Sequence, residues 1–133
     1  MTPGTERRAL QAAIALLSLV PVVAGLAGVL QGPAMVDGSL GTPSQDSHMR
    51  YLSGLLLAIG MAWWSVIPAI ERHGARVRLL TALVVCGGLA RLLSLAMVGA
   101  PSGPMLGGLA MELLVTPVIA LWQARVARRM GTP

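Results

Sequence analysis

A chain of 133 residues with 55% hydrophobic residues, 11% charged residues and a mean hydropathy of +0.74 does not have the composition of a soluble domain, where roughly 25% of residues are charged. The formal net charge is +5 and the pI about 11.4, yet the basic residues sit between apolar runs with almost no aromatics among them, which excludes a nucleic-acid surface and nucleic acid as a partner. The composition leaves an all-α polytopic membrane protein: one transmembrane domain over residues 1–133, an antiparallel bundle of four spans.

In chain order, residues 1–8 form a short polar head ending in Glu6-Arg7-Arg8. The first apolar run, residues 9–30, exceeds the apolar core of a secretion signal and is read as a span. Ser18, Pro21, Gly25, Gly28 and Gly32 recur there at spacings of three and four. Small residues so spaced let a neighbouring helix approach closely, where lipid offers no hydrophobic drive for association. Pro21 predicts a bend.

Residues 31–49 read as the longest loop, with turn signals at Gly32-Pro33, Asp37-Gly38 and Thr42-Pro43. Ser44 to Ser47 offers an N-cap for an early start to the next helix. The second span, residues 50–70, has Gly54 and Gly60 as packing positions and Trp63 and Trp64 at headgroup level. A charged loop, 71–78, precedes the third span, residues 79–98. The turn 99–104 carries no charge, the fourth span covers 105–124, and a basic tail follows.

All ten basic residues are arginines. With four spans, Arg7, Arg8, Arg72, Arg76, Arg78, Arg125, Arg128 and Arg129 fall on the side of the termini and Arg50 alone on the other. The positive-inside rule then places both termini in the cytoplasm and the chain in a bacterial cytoplasmic (inner) membrane.

Two charges lie well inside apolar runs: Arg91 in the third span and Glu112 in the fourth. An arginine cannot shed its proton, so it must snorkel, reach water or find an acceptor. Arg91 lies seven residues before Val98 and Glu112 seven after Met105, each about 10 Å from the outer end of its helix at about 1.5 Å per residue. Equal depth on adjacent helices predicts a bidentate pair. Gly87 and Ser94 share the face of Arg91, and Gly108 and Thr116 that of Glu112. Gly87 and Gly108 are thereby read as packing positions beside Gly25, Gly28, Gly54 and Gly60. Arg50 starts the second span on the same outer side and can lean towards Glu112.

Three readings of the cluster Arg50, Arg91, Glu112, Ser94 and Thr116 stay open. It staples the bundle, it lines an outward pocket for an amphipathic anion such as a lipid or fatty acid, or Glu112 serves proton-linked transport. No catalytic residue, metal ligand set or cofactor is expected, since no nucleophile has a base within reach and Glu112 has no second acid near it. The single cysteine, Cys86, excludes an internal disulfide and is read as a small packing residue.

At Arg50-Tyr51-Leu52-x-Gly54 with Gly60, at Gly87-Gly88-Leu89-Ala90-Arg91-Leu92-x-Ser94, and at Glu112 four residues before Thr116-Pro117, the chain resembles the DUF4345 family of small bacterial four-helix membrane proteins. The likeness covers spans two to four by motif and the first span by hydropathy and glycines. It implies that Arg50, Arg91 and Glu112 belong to a shared pattern, and it brings no established activity. The phenylalanine such chains often carry is absent. The expected function is therefore an accessory membrane protein, not an enzyme, with membrane lipid and other membrane-protein subunits as partners.

Overall fold

Three prolines decide where the helices of this chain depart from the regular ladder. A computed structural model describes residues 1–131; the end of the expected basic tail, Thr132 and Pro133, lies outside the described residues. Helices α1 (Pro3–Leu17) and α2 (Leu19–Gln31) meet at Ser18. Pro21 has no N–H to return to the Leu17 carbonyl, and its ring crowds that carbonyl, so the break falls one turn before the proline. A short helix, α3 (Ala34–Asp37), follows, then α4 (Pro43–Val66). Pro68 cannot bond the Trp64 carbonyl, which Ile67 N–H takes instead, and the chain tightens into a 3₁₀ turn, Ile67–Arg72. Helix α5 (Gly74–Val98) and α6 (Gly103–Ala110) come next. A π turn, Met111–Val115, then leads into α7 (Thr116–Arg129) just before Pro117. Every regular element among the described residues is helical.

Four helical stretches are long and apolar enough to cross a membrane: Pro3–Gln31, Pro43–Arg72, Gly74–Val98 and Gly103–Arg129. Each begins before the apolar run that marks it in the sequence, and the first, second and fourth also run past its end. The polar head is helical from Pro3, and the charged loop contains Arg76 and Arg78 as residues of α5. Glutamate and arginine are good helix formers, so hydropathy marks the part of a helix that suits lipid and not its ends. The 31–49 loop shrinks for a second reason. Thr42 and Gln45 form a capping box: Gln45 N–H donates to Thr42 Oγ1 at 3.2 Å and Thr42 N–H to Gln45 Oε1 at 2.8 Å, with Pro43 in the first turn. That pair starts α4 seven residues before Arg50.

The chain forms two compact units, residues 12–67 and residues 1–11 together with the chain from Pro68 onward. In the first of these, α2 packs against α4. A methyl group on Gly25 would lie 2.5 Å from Leu57 N and 2.8 Å from the Ser53 carbonyl oxygen, and one on Gly60 would lie 3.0 Å from Val22 N. Gly25 therefore meets Leu57 and Gly60 meets Val22, which makes the helices antiparallel, with backbones closer than any side chain would permit. Gly28 abuts the Ser53 side chain, whereas Gly54 makes only an ordinary contact, 4.0 Å from Val29. Trp63 is buried, and Trp64 Nε1 donates to the Ala15 carbonyl at 3.2 Å.

In the other unit, Leu10, Ile70, Val77, Leu80, Ile119 and Val126 form the buried apolar core, with Gln123 and Glu6 buried beside them. Gly74 approaches Gln123 and Gly88 approaches Leu113, so α5 runs antiparallel to the stretch from the π turn into α7. Beyond Leu80, Gly88 is the one fully buried residue of α5. Leu93, Met97 and Val98 are 60%, 75% and 85% exposed. Cys86 is exposed as well, not a packing residue. The half of this hairpin that leads to the 99–102 turn thus presents apolar side chains outward, the arrangement of a helix facing lipid.

Candidate functional site

Glu112 stands in the π turn, where the ladder has slipped by one residue. Thr116 N–H reaches back five residues to the Met111 carbonyl, and Thr116 Oγ1 donates to the same oxygen at 2.9 Å. The cause is Pro117, which removes a donor and crowds the carbonyl of Leu113. Thr116, a member of the polar cluster by sequence, has its hydroxyl bonded to the backbone of the turn. The slip bulges the helix at the position that carries the carboxylate.

Arg91 and Glu112 meet. Arg91 Nε donates to Glu112 Oε1 at 3.0 Å, with the Arg91 side chain 40% exposed and that of Glu112 16% exposed. Equal depth predicts a bidentate fork, but the contact is single: Arg91 Nη1 lies 3.2 Å from Met105 Sδ, a weak acceptor in the first turn of α6. Glu112 Oε2 is buried without a hydrogen-bond partner, as is Thr81 Oγ1. A guanidinium carries five N–H donors, and these two contacts engage two of them. The pair neutralises charge while leaving hydrogen-bonding capacity open on both partners.

The glycine beside this pair is not the one expected. Gly87 and Gly108 have nothing within 4 Å of where an added methyl group would stand, so neither packs a helix. At Gly88 a methyl group would lie 2.7 Å from Leu113 Cδ2 and 2.9 Å from Glu112 Cβ. Positions i−3 and i−4 flank Arg91 on either side of its face, and the contact with the π turn lies on the i−3 side. Ser94 is exposed, and its side chain forms no hydrogen bond among the described residues.

Arg50 is engaged within its own unit. Its Nε donates to Asp46 Oδ2 at 2.8 Å, and its Nη1 to the carbonyls of Val29 at 2.5 Å and Leu30 at 3.2 Å. Those carbonyls end α2 and have no partner inside the helix, so a cation there caps the terminus. The i, i+4 spacing of Asp46 and Arg50 is the sequence signal for this pairing. Two open hollows lie in the same unit, one lined by Pro43, Ser44, Ser47, His48 and Tyr51, the other by residues from Pro33 to Leu52; neither includes Arg50, Arg91 or Glu112.

A second polar cluster has no counterpart in the sequence analysis. Glu6 is 5% exposed; it accepts from Arg129 Nη1 at 2.7 Å and forms an ion pair with Arg125, Nε to Oε1 at 3.0 Å. Arg7 Nε donates to Glu71 Oε2 at 2.7 Å and Arg7 Nη2 to the Pro68 carbonyl at 2.7 Å. Gln123 Nε2 donates to the Ile70 carbonyl at 2.9 Å. Side chains of α1 and α7 thus bond the Pro68 and Ile70 carbonyls of the irregular 3₁₀ turn. The i, i+4 spacing of Arg125 and Arg129 shows that they share a face, but nothing local points to an acid more than a hundred residues away.

The DUF4345 family model, described as a domain of unknown function, matches residues 9–123. The match takes in Arg50, Arg91 and Glu112 and leaves Glu6, Arg125 and Arg129 outside it. No curated protein and no solved structure matches the chain.

Proposed function

The chain belongs to the DUF4345 family, and from that premise we propose that it is a multi-pass accessory protein of the bacterial cytoplasmic membrane, without enzymatic activity, that packs against another membrane subunit through α5 and α6. The observation that carries this reading is the half-exposed Arg91. Its guanidinium is held by Glu112 and the Met105 thioether in a hairpin whose neighbouring side chains are apolar and exposed. An intramembrane arginine with unused donors calls for an acceptor, and a partner helix supplies both the acceptor and an apolar surface. The arginine bias supports cytoplasmic termini, which puts Arg91 in the outer half of the bilayer.

The test is co-purification from mild detergent, with wild type and Arg91→Met compared. A discrete partner that is held by wild type and lost from a still-folded Arg91→Met protein supports the proposal. A wild-type protein that emerges as a clean monomer counts against it. Reporter fusions at the C-terminus check the topology separately.

The half-open guanidinium also favours a second reading, an amphipathic anionic lipid or fatty acid seated at Arg91 with its chain along α5. In that reading Arg91 acts without Arg50, which is committed to Asp46 and the end of α2. Such a lipid would be found by mass spectrometry of the wild-type protein, with no protein partner.

A further inference from the structure

We propose that the end of the α1–α5–α7 unit that carries Glu6 binds the phosphate headgroups of anionic phospholipid through Arg8, Arg72, Arg78 and Arg128, and that its two carboxylates serve to select which arginines are left for lipid. The proposal rests on the chain being a membrane protein, and it concerns a surface other than Arg91 and Glu112.

Glu6 and Glu71 are the acids at this end, and both are taken. Glu6 is ion-paired with Arg125 and Arg129, and Glu71 with Arg7. These three arginines hold the start of α1, the 3₁₀ turn and the end of α7 together. Arg8, Arg72, Arg78 and Arg128 are exposed and form no ion pair among the described residues. The backbone of each is placed by a paired neighbour or a helix: Arg8 follows Arg7, Arg72 follows Glu71, Arg128 precedes Arg129, and Arg78 belongs to the first turns of α5. The outcome is four exposed cations, none within ion-pair distance of a carboxylate among the described residues, with Arg72 alone also acting through space on the neighbouring Glu71.

The chemistry of the partner follows from what lies beside that group. Leu79, next to Arg78, is 61% exposed, and Leu121, two turns before Arg128, is 71% exposed. Cations at a helix end with exposed leucines directly behind them match a phosphate above an acyl chain. A nucleic acid or an acidic protein has nothing to place against the leucines. Arginine presents its donors as a planar fork that fits phosphate oxygens, and basic residues at a bilayer surface attract anionic lipid within a Debye length.

The experiment uses the full chain in nanodiscs of phosphatidylcholine alone or phosphatidylcholine mixed with phosphatidylglycerol, with retained lipid identified by native mass spectrometry. Wild type is expected to retain phosphatidylglycerol at several-fold its share of the bilayer, and added salt to lower that enrichment. The triple variant Arg8→Gln/Arg72→Gln/Arg128→Gln is expected to lose most of the enrichment with its unfolding midpoint little changed, because none of the three forms an ion pair among the described residues. The matched Arg→Lys triple keeps the charge and is expected to keep most of the enrichment, which separates lipid binding from misfolding. Equal lipid retention by wild type and the Gln triple overturns the proposal, as does salt-sensitive capture of nucleic acid or an acidic protein without lipid enrichment. Failure of wild type to enter either nanodisc overturns the membrane reading itself, a different result from entry without lipid preference.

Discussion

Glu112 divides its carboxylate: Oε1 accepts from Arg91 Nε at 3.0 Å, while Oε2 is buried with no partner. A closed staple would use both oxygens in a fork with two guanidinium nitrogens. This pair uses one of each, because Nη1 of Arg91 is turned to Met105. The arrangement holds α5 to the π turn and remains able to accept further contacts.

The first prediction separates the pair from its members. Arg91→Met leaves a buried carboxylate with no cation, and Glu112→Gln leaves the guanidinium without its counter-charge; each is expected to cost about 1–3 kcal/mol. The double variant removes both charges and is expected to be closer to wild type than either single change, since mutual loss avoids a stranded charge. Denaturant unfolding in detergent micelles gives the coupling energy from the full cycle. Additive single costs would mean that the two residues do not act as a pair.

Adjacent glycines on α5 supply the second prediction. Gly88→Val pushes a branched side chain into Leu113 Cδ2 and Glu112 Cβ, which already lie 2.7 and 2.9 Å from a single added methyl. It is expected to destabilise by about 1–3 kcal/mol and to loosen the Arg91–Glu112 contact. Gly87→Val, with nothing within 4 Å, is expected to have an effect within about 0.5 kcal/mol, the range of open positions. Comparing the two unfolding midpoints tests the helix rotation directly, and the reverse order of stability would refute it.

The contrast between these glycines shows where sequence reading stops. Hydropathy locates the four spans because lipid requires a long apolar run whatever the neighbours are. Depth along a helix also follows from residue count, so Arg91 and Glu112 can be matched at equal distance from their turn. Rotation is a different matter. Gly87 and Gly88 differ by about 100° around the axis, and only the crossing of two helices decides between them. Sequence alone misses Asp46 as the local partner of Arg50, because Asp46 reads as loop until the Thr42–Gln45 box extends α4 over it. Glu6 gives no local signal because its partners stand at the opposite end of the chain.

The capping box gives the third prediction. Thr42→Ala removes the acceptor for Gln45 N–H and is expected to cost about 1 kcal/mol. The loss should be local, since Asp46 and Arg50 lie in the turns that the box initiates. Amide exchange is expected to accelerate between residues 43 and 50 and to stay unchanged in α5 and α7. Uniform acceleration across the protein would show that this turn is part of a global unit.

The cluster around Glu6 yields an asymmetric prediction. Glu6 is buried, whereas the side chains of Arg125 and Arg129 are 58% and 44% exposed. Glu6→Ala deletes both ion pairs but lets the two arginines turn to solvent, so the expected cost is about 1–2 kcal/mol. Arg125→Gln leaves Arg129 in place and should cost less than about 1 kcal/mol, the usual value of an exposed pair. Arg125→Gln/Arg129→Gln loses the same two ion pairs as Glu6→Ala, yet it leaves a buried carboxylate uncompensated, and the expected cost rises to about 3 kcal/mol or more. Adding Glu6→Ala to that double variant should therefore restore stability, although it removes one more side chain from the wild-type set. Unfolding of the four proteins in the same detergent checks the order. A Glu6→Ala protein less stable than the double arginine variant would show that Glu6 holds the end of the unit by packing and not as a buried charge that must be met.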